Sequence, residues 1–557
     1  MDEVIQAATD LASEIAGEGT VLLKNNGALP LNSGKETITL WGLNSECPVL
    51  GGYLGSAVDV NAEAGQTTVG IKEALQSSGF TLNQKMIEFY GSSVVDPYRM
   101  QAVSSLPWMS SSYGHSLVPS FGPAYEGPTA YNVGEAPANL YDESLLTSAD
   151  GTVAVVMISR DSTEGSDYGQ EMKATNSGDS FERPLALSDY EHQVLELAKA
   201  HSSKVVVLIN SSSQMELGEL KNDDNIDAIL WVGQPGMVGF NGVADVISGA
   251  VNPSGHCRTL MRQTLILIHL PRIFGVYLYT NNSTVSTDLT SSDMGDWYVV
   301  YNEGIYGGYK YYETRYEDAV LGRFNAGADI GSTTGNGWNY ADEMVYPFGY
   351  GLSYTTFEQK LENISVNVGG TGTATVNVVN TGNVAGKCAV ELYVQAPYTE
   401  GGVEKAAIQL LILARRTFAA WGSETVTIEF DPRYMASYDE TAQKADGTMA
   451  RGFWIQEDYF FTVANGAHEA STMCWQKTGT TDALTIVTSD ENISADNVQT
   501  WHLDGRDIET YSKNVSNQLQ DCDINELIPG TVEYMTRSDW TKLGNRNRYN
   551  CYGCHAC

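Results

Sequence analysis

Six consecutive apolar residues, Val153-Ala154-Val155-Val156-Met157-Ile158, run into Ser159-Arg160-Asp161-Ser162-Thr163-Glu164-Gly165-Ser166-Asp167. A polar, glycine-containing loop continues to Arg183-Pro184, and Ser188-Asp189-Tyr190-Glu191 then opens a helix as a capping box. The pattern is that of a buried strand ending in a long loop with a carboxylate at its rim. Open α/β sheets bind ligands in the crevice beyond the carboxyl ends of their strands. Glu164, six residues past Ile158, is therefore placed for chemistry.

The flanking sequence repeats this rhythm. Val4, Ala8, Leu11 and Ile15 share one helical face, and Gly17 and Gly19 stop the helix. Short apolar strands follow at Val21 to Leu23 and Ile38 to Trp41, then a helix from Val69. Gly51-Gly52-Tyr53-Leu54-Gly55-Ser56 lacks the Lys-Ser/Thr of a phosphate loop, so a turn or close approach to a sugar fits it better. Residues 91–147, rich in Ser, Pro, Tyr and Gly, read as an irregular insertion. Beyond the capping box come a helix to Ala200, a strand Val205 to Ile209, a strand Ala228 to Val232 and a helix through Ile247. Strands alternating with helices at this spacing predict a layered α/β domain with largely parallel strands. After Phe357 the period becomes two, with Ala374-Val376-Val378, Val390-Leu392-Val394 and Val426-Ile428-Phe430 each lining one strand face. That spacing predicts a small β-sandwich, followed from residue 476 by a polar tail.

Charge narrows the partners. With 32 Lys plus Arg against 68 Asp plus Glu, the formal charge is −36. Such a surface repels phosphate, which argues against nucleic acid and anionic membranes and leaves neutral ligands such as sugars compatible. No basic, apolar leader and no run of the roughly 20 apolar residues a bilayer requires is visible, so a cytoplasmic protein with reduced thiols is expected. Cys551-x-x-Cys554-His555-x-Cys557 crowds its ligands without a second half-site, unlike usual zinc spacings, so no metal is expected.

Several segments together resemble glycoside hydrolase family 3, the β-glucosidase family. They are Gly17-Glu18-Gly19-Thr20-Val21-Leu22-Leu23-Lys24-Asn25 with Leu29-Pro30-Leu31, the Glu164-Gly165 loop, and Ala228-Ile229-Leu230-Trp231 with Pro235-Gly236. Asn252-Pro253-Ser254-Gly255, Glu303-Gly304-Ile305-Tyr306 and Pro347-Phe348-Gly349-Tyr350-Gly351-Leu352-Ser353-Tyr354 complete the set. The resemblance implies an α/β sandwich domain over residues 1–355, a fibronectin-type-III-like domain over 356–475, and a linker over 476–557. It further implies retaining hydrolysis of terminal β-linked sugars without a cofactor. That reaction needs two carboxylates roughly 5–5.5 Å apart. Glu164 occupies the position resembling the family's acid/base, with Glu171 as the fallback.

The family's nucleophile is an Asp on a (β/α)₈ barrel, and no run of eight strand-helix units exists here. The order of domains resembles the family's reversed arrangement, stopped before its barrel. Ser538-Asp539-Trp540 resembles the nucleophile motif but does not follow an apolar strand, so no nucleophile is assigned within the chain. The expectation is a β-glucosidase-like chain that supplies the acid/base and needs a barrel in cis or in trans. The alternative is a non-catalytic carbohydrate-binding or barrel-docking module. Two stretches depart from the resemblance: His256 to Arg272, and the basic, Cys-rich end from Lys542. A reading-frame slip would produce both.

Overall fold

The computed structural model describes residues 2–51, 68–99, 133–160, 177–259, 261–263, 277–280, 297–300, 304–323, 332, 337–439, 452–478, 494–507, 509–512 and 535–538. Its first unit is a six-stranded sheet between helices. The strands are β1 (Val21–Asn25), β2 (Thr37–Trp41), β3 (Thr81–Leu82), β4 (Thr152–Arg160), β5 (Ser202–Ser211) and β6 (Ala228–Trp231). Their spatial order is β1-β6-β5-β4-β2-β3. All neighbouring pairs are parallel except β1 with β6. The central strands read as unbroken apolar runs because both faces are covered. Leu23, Trp41, Val156 and Val207 pack one face, and Leu22, Leu40, Val155 and Leu208 the other.

Helices α1 (Asp2–Gly19), α2 (Ile71–Ser77), α3 (Gln84–Tyr90), α4 (Glu143–Thr147), α5 (Asp189–His201), α6 (Gly218–Asn222) and α7 (Phe240–Ser248) surround the sheet. α1 meets α7 where Gly17 faces Gly242, so close that a Cβ on Gly242 would fall 2.1 Å from the Ser13 carbonyl oxygen. The apolar stripe expected on α1 points outward: Val4, Leu11 and Ile15 are 56–69% exposed.

Met261–Arg262 (β7) pairs with Met344–Tyr346 (β10), and Tyr277–Thr280 (β8) with Trp297–Val300 (β9). Helix Tyr309–Arg315 runs on into a π turn over Tyr316–Val320, and its tyrosines form a core with Trp338, Tyr340 and Trp475. Two antiparallel sheets follow. One holds β11 (Phe357–Val366), β12 (Gly372–Asn380) and β15 (Ser423–Phe430). The other holds β13 (Gly386–Gln395), β14 (Gln409–Phe418), β16 (Ser437–Asp439), β17 (Gly452–Ala464) and β18 (Gln499–Asp507). The predicted alternation appears as the shared core: Ala374, Val376, Val378, Val390, Leu392, Val426 and Ile428 face Tyr459 and Phe461.

β18 lies in the stretch expected to be a polar tail, yet it pairs with β17 along Gln499 to Asp507. Trp501 and Leu503, on alternate positions, pack against the sandwich core. Further on, Arg537 is 2% exposed and grips Asp318, with Nη2 at 2.7 Å. The α/β unit and the sandwich are joined through Arg415, which donates to Glu18 Oε2 at 3.1 Å and to the Ser254 carbonyl at 3.0 Å. Among the described residues there is no closed barrel, and no helix is long and apolar enough to cross a membrane.

Candidate active site

The parallel strands run β3-β2-β4-β5-β6, so the chain leaves β2 in one direction and resumes at β4 in the other. The crevice at the carboxyl ends of β2 and β4 is thus the switch point at which open α/β sheets place ligands. β4 extends two residues beyond Ile158 and ends at Arg160. Glu164 and Glu171 lie outside the described residues, as do Gly52 to Ser56, Asp539, Trp540 and the terminal cysteines. The described residues instead define the base on which the Glu164 loop stands.

Arg160 closes that base. Fully buried, its guanidinium donates to the carbonyls of Pro184 (2.7 Å) and Ala186 (2.6 Å), where the chain returns from the loop. It also forks onto Glu191, with Nη1–Oε1 at 2.6 Å and Nη2–Oε2 at 2.8 Å. A buried guanidinium persists only when paired and hydrogen-bonded, and the two-pronged geometry suits Arg rather than Lys. Glu191 meanwhile accepts the Ser188 amide at 2.8 Å, and Ser188 Oγ accepts the Glu191 amide at 3.1 Å. The capping box expected from sequence therefore exists, and its carboxylate is also the counterion of the strand-end arginine.

Two further carboxyls gather here. Asp179, 1% exposed, accepts the amides of Ser180 and Tyr190, each at 2.9 Å. Burial raises its pKa to about 6, opposed by the Ser188 hydroxyl and those amides and assisted by the charge on Glu191. Glu135 accepts the Ala136 amide at 2.8 Å and lies beside the Leu43 amide just past β2. Its burial, reinforced by Glu191 and Asp179 and opposed by the Ala136 and Leu43 amides, pushes its pKa well above the usual carboxylate value. On the other side Asn210, at the end of β5, bonds the Val49 amide and carbonyl, the Gly233 carbonyl and Ser159 Oγ at 2.6–3.0 Å. One amide side chain thereby ties the ends of β4 and β5 to the turns that follow β2 and β6.

Sequence reasoning located the loop but not these supports. A charged residue directly behind an apolar run, as in Met157-Ile158-Ser159-Arg160, was the available signal for Arg160. Nothing local marked Glu135, Asp179 or Asn210. Among the described residues no cluster of His, Cys, Asp or Glu forms a metal site.

The profile described as "Glycosyl hydrolase family 3 C-terminal domain" matches residues 20–354. The chain belongs to glycosyl hydrolase family 3. It is 28% identical over 462 residues to a "Beta-glucosidase" of Ruminococcus albus, covering 82% of this chain and 39% of that protein. It is 27% identical over 497 residues to "Beta-glucosidase A" of Butyrivibrio fibrisolvens, covering 83% and 50%. The chain thus spans half or less of the length of these relatives. In fold it is similar to β-glucosidase 3B from Thermotoga neapolitana in complex with glucose, with TM-score 0.61, 23% identity, and coverage of 90% of this chain and 55% of that one. The β-glucosidase from Paenibacillus barengoltzii gives TM-score 0.58 at 24% identity, covering 89% and 45%.

Proposed function

We propose that this chain supplies the acid/base half of a retaining β-glucosidase-type hydrolase, with Glu164 as the proton donor and acceptor. Glu171 is the fallback, and the sandwich is the family's fibronectin-type-III-like domain. In the first step the Glu164 carboxyl protonates the glycosidic oxygen as a second carboxylate attacks the anomeric carbon; in the next it takes a proton from water as the glycosyl-enzyme is hydrolysed. The observation carrying the reading is the Arg160 clamp, which holds both stems of the Glu164 loop at the switch point of the sheet. The second carboxylate belongs to a (β/α)₈ barrel supplied in cis or in trans, following these domains in the reversed order. The outward apolar stripe of α1, Val4-Leu11-Ile15, supports such a docking partner, since an apolar helix face gains by being covered.

The test is hydrolysis of a chromogenic β-glucoside by the purified chain, alone and with a family barrel added. No turnover alone, turnover on addition of the barrel, its loss in Glu164→Gln and its retention in Glu171→Gln are expected. Turnover by the chain alone would place a second carboxylate within it, and activity surviving Glu164→Gln would remove the assignment.

A further inference from the structure

At one end of the sandwich lies a cleft of about 1940 Å³. It is bounded by the β11–β12 turn, the ends of β13 and β15, the start of β14, and the Met535-Thr536 segment. Pockets for single small ligands measure about 300–1,000 Å³, so this volume fits an extended chain rather than one ring. We propose that the cleft binds a neutral oligosaccharide, as a site separate from the Glu164 loop.

Three observations point to that ligand. The first is charge. In a chain with 32 cationic and 68 acidic side chains, the lining holds three of each: Lys310, Lys405 and Arg433 against Glu404, Glu429 and Asp431. Several of these are already engaged. Arg433 pairs with Asp431 at 2.9 Å, and Glu404 accepts the Tyr306 hydroxyl and the Arg537 amide. Little net field is left to select an ion, so the site favours an uncharged ligand that hydrogen-bonds. The second is the aromatic rim. Tyr434 and Tyr438 are 57% and 43% exposed on a wall whose other tyrosines, Tyr306 and Tyr511, are more buried. A tyrosine ring offers an apolar face for C–H surfaces and a hydroxyl for polar ones, the combination a sugar presents. The third is position. The cleft sits where loops of both sheets converge, the end of a sandwich that carries recognition in other binding domains.

The choice of β-linked probes rests on the proposed function; the site itself does not. Binding of neutral β-linked gluco-oligosaccharides of increasing length is measured by calorimetry on the full chain, which requires no hydrolysis. Affinity should rise with chain length. It should fall about tenfold or more in Tyr434→Ala/Tyr438→Ala, two exposed positions, with an unchanged melting temperature as the check that the fold is kept. Trp421→Ala, an exposed aromatic at the opposite end of β14 and β15, should bind as the parent does. Binding that survives the double substitution, is lost only in the Trp421 variant, or favours an anionic oligosaccharide of the same length would overturn the proposal, as would no binding of any neutral oligomer. None of these outcomes depends on turnover, so the cleft and the Glu164 assignment fail separately.

Discussion

Replacing Glu191 by Gln tests whether the base of the Glu164 loop is held by charge. Glu191 receives two N–H groups from a fully buried Arg160 and one from the Ser188 amide. Gln retains one acceptor oxygen, which in the place of Oε2 keeps the capping interaction and one prong of the fork. Its NH₂ group meets the other guanidinium N–H, and the arginine charge is left uncompensated inside the protein. Breaking a buried pair in this way costs about 3–5 kcal/mol. Losing the cap alone costs about 1 kcal/mol, which Ser188→Ala measures separately. In a domain of this size each kcal/mol shifts the midpoint by about 2–4 °C, so a drop of about 6–20 °C is expected.

Urea unfolding followed by far-UV circular dichroism reads the loss. Hydrogen exchange over the Ser177–Leu187 stretch should rise well before the sheet opens. The double replacement Arg160→Met/Glu191→Leu removes both charges together and should recover most of the stability, because the desolvation penalty goes with them. A Glu191→Gln cost under about 1 kcal/mol, or a double variant as unstable as the two single losses added together, would refute the reasoning.

Glu391 offers a pH test: burial raises its pKa to about 7, with Glu469 adding to the rise and the Tyr393 hydroxyl opposing it. The folded state therefore holds this proton more tightly than the unfolded chain, whose Glu titrates near 4.5. Its contribution is full below that value and is lost as pH rises through 7, about 3 kcal/mol in all; Glu391→Gln should flatten that slope in urea midpoints between pH 5 and 8. Gly242→Ala would drive a Cβ to 2.1 Å from the Ser13 carbonyl and 2.5 Å from the Gly17 amide. Its cost should exceed the roughly 1 kcal/mol gained in helix propensity, and exchange along α1 should rise. Arg537→Met would leave Asp318 buried without its forked partner, and should cost about 3–5 kcal/mol and speed proteolysis near residue 537. A variant that resists protease like the parent would deny the Arg537 contact any role in stability.

Strands buried on both faces were legible because no polar residue interrupts them: Val153 to Ile158, Val205 to Ile209 and Ala228 to Trp231 all lie inside observed strands. The direction of β1 was not, since three apolar residues fit a parallel or an antiparallel neighbour equally. β11 escaped for the opposite reason. Its one fully buried side chain is Leu361, and Phe357-Glu358-Gln359-Lys360-Leu361 otherwise reads as surface. β18 is recognised only by Trp501 and Leu503, two apolar positions in a polar run. On α1 the periodicity was real but its meaning inverted: the face packed on α7 is made of Ser13, Gly17 and their neighbours, whose smallness permits contact, while the large apolar residues point out.

The candidate site divides along the same line. A catalytic carboxylate must be held to a fraction of an ångström, which a long polar loop cannot do for itself. The supports come from distant parts of the chain: Glu135 from the irregular insertion, Asp179 from the returning end of the loop, Glu191 from the helix after it, Arg160 from the strand before it. Each is a buried ionisable group: Arg160 and Glu191 offset one another's cost, while backbone amides hold Asp179 and Glu135. Arg160 can be buried because Glu191 forks onto it, and Glu191 is also one of the causes that raise the Glu135 pKa. Charge on Glu135 would bring a third acidic group, beside Glu191 and Asp179, to a cluster with the buried cation Arg160. Burial raises both neighbours, Asp179 to about 6 and Glu135 well above the usual carboxylate value, with Glu191 adding to each rise. The Arg160–Glu191 pair therefore bears on the protonation of its neighbours as well as on stability.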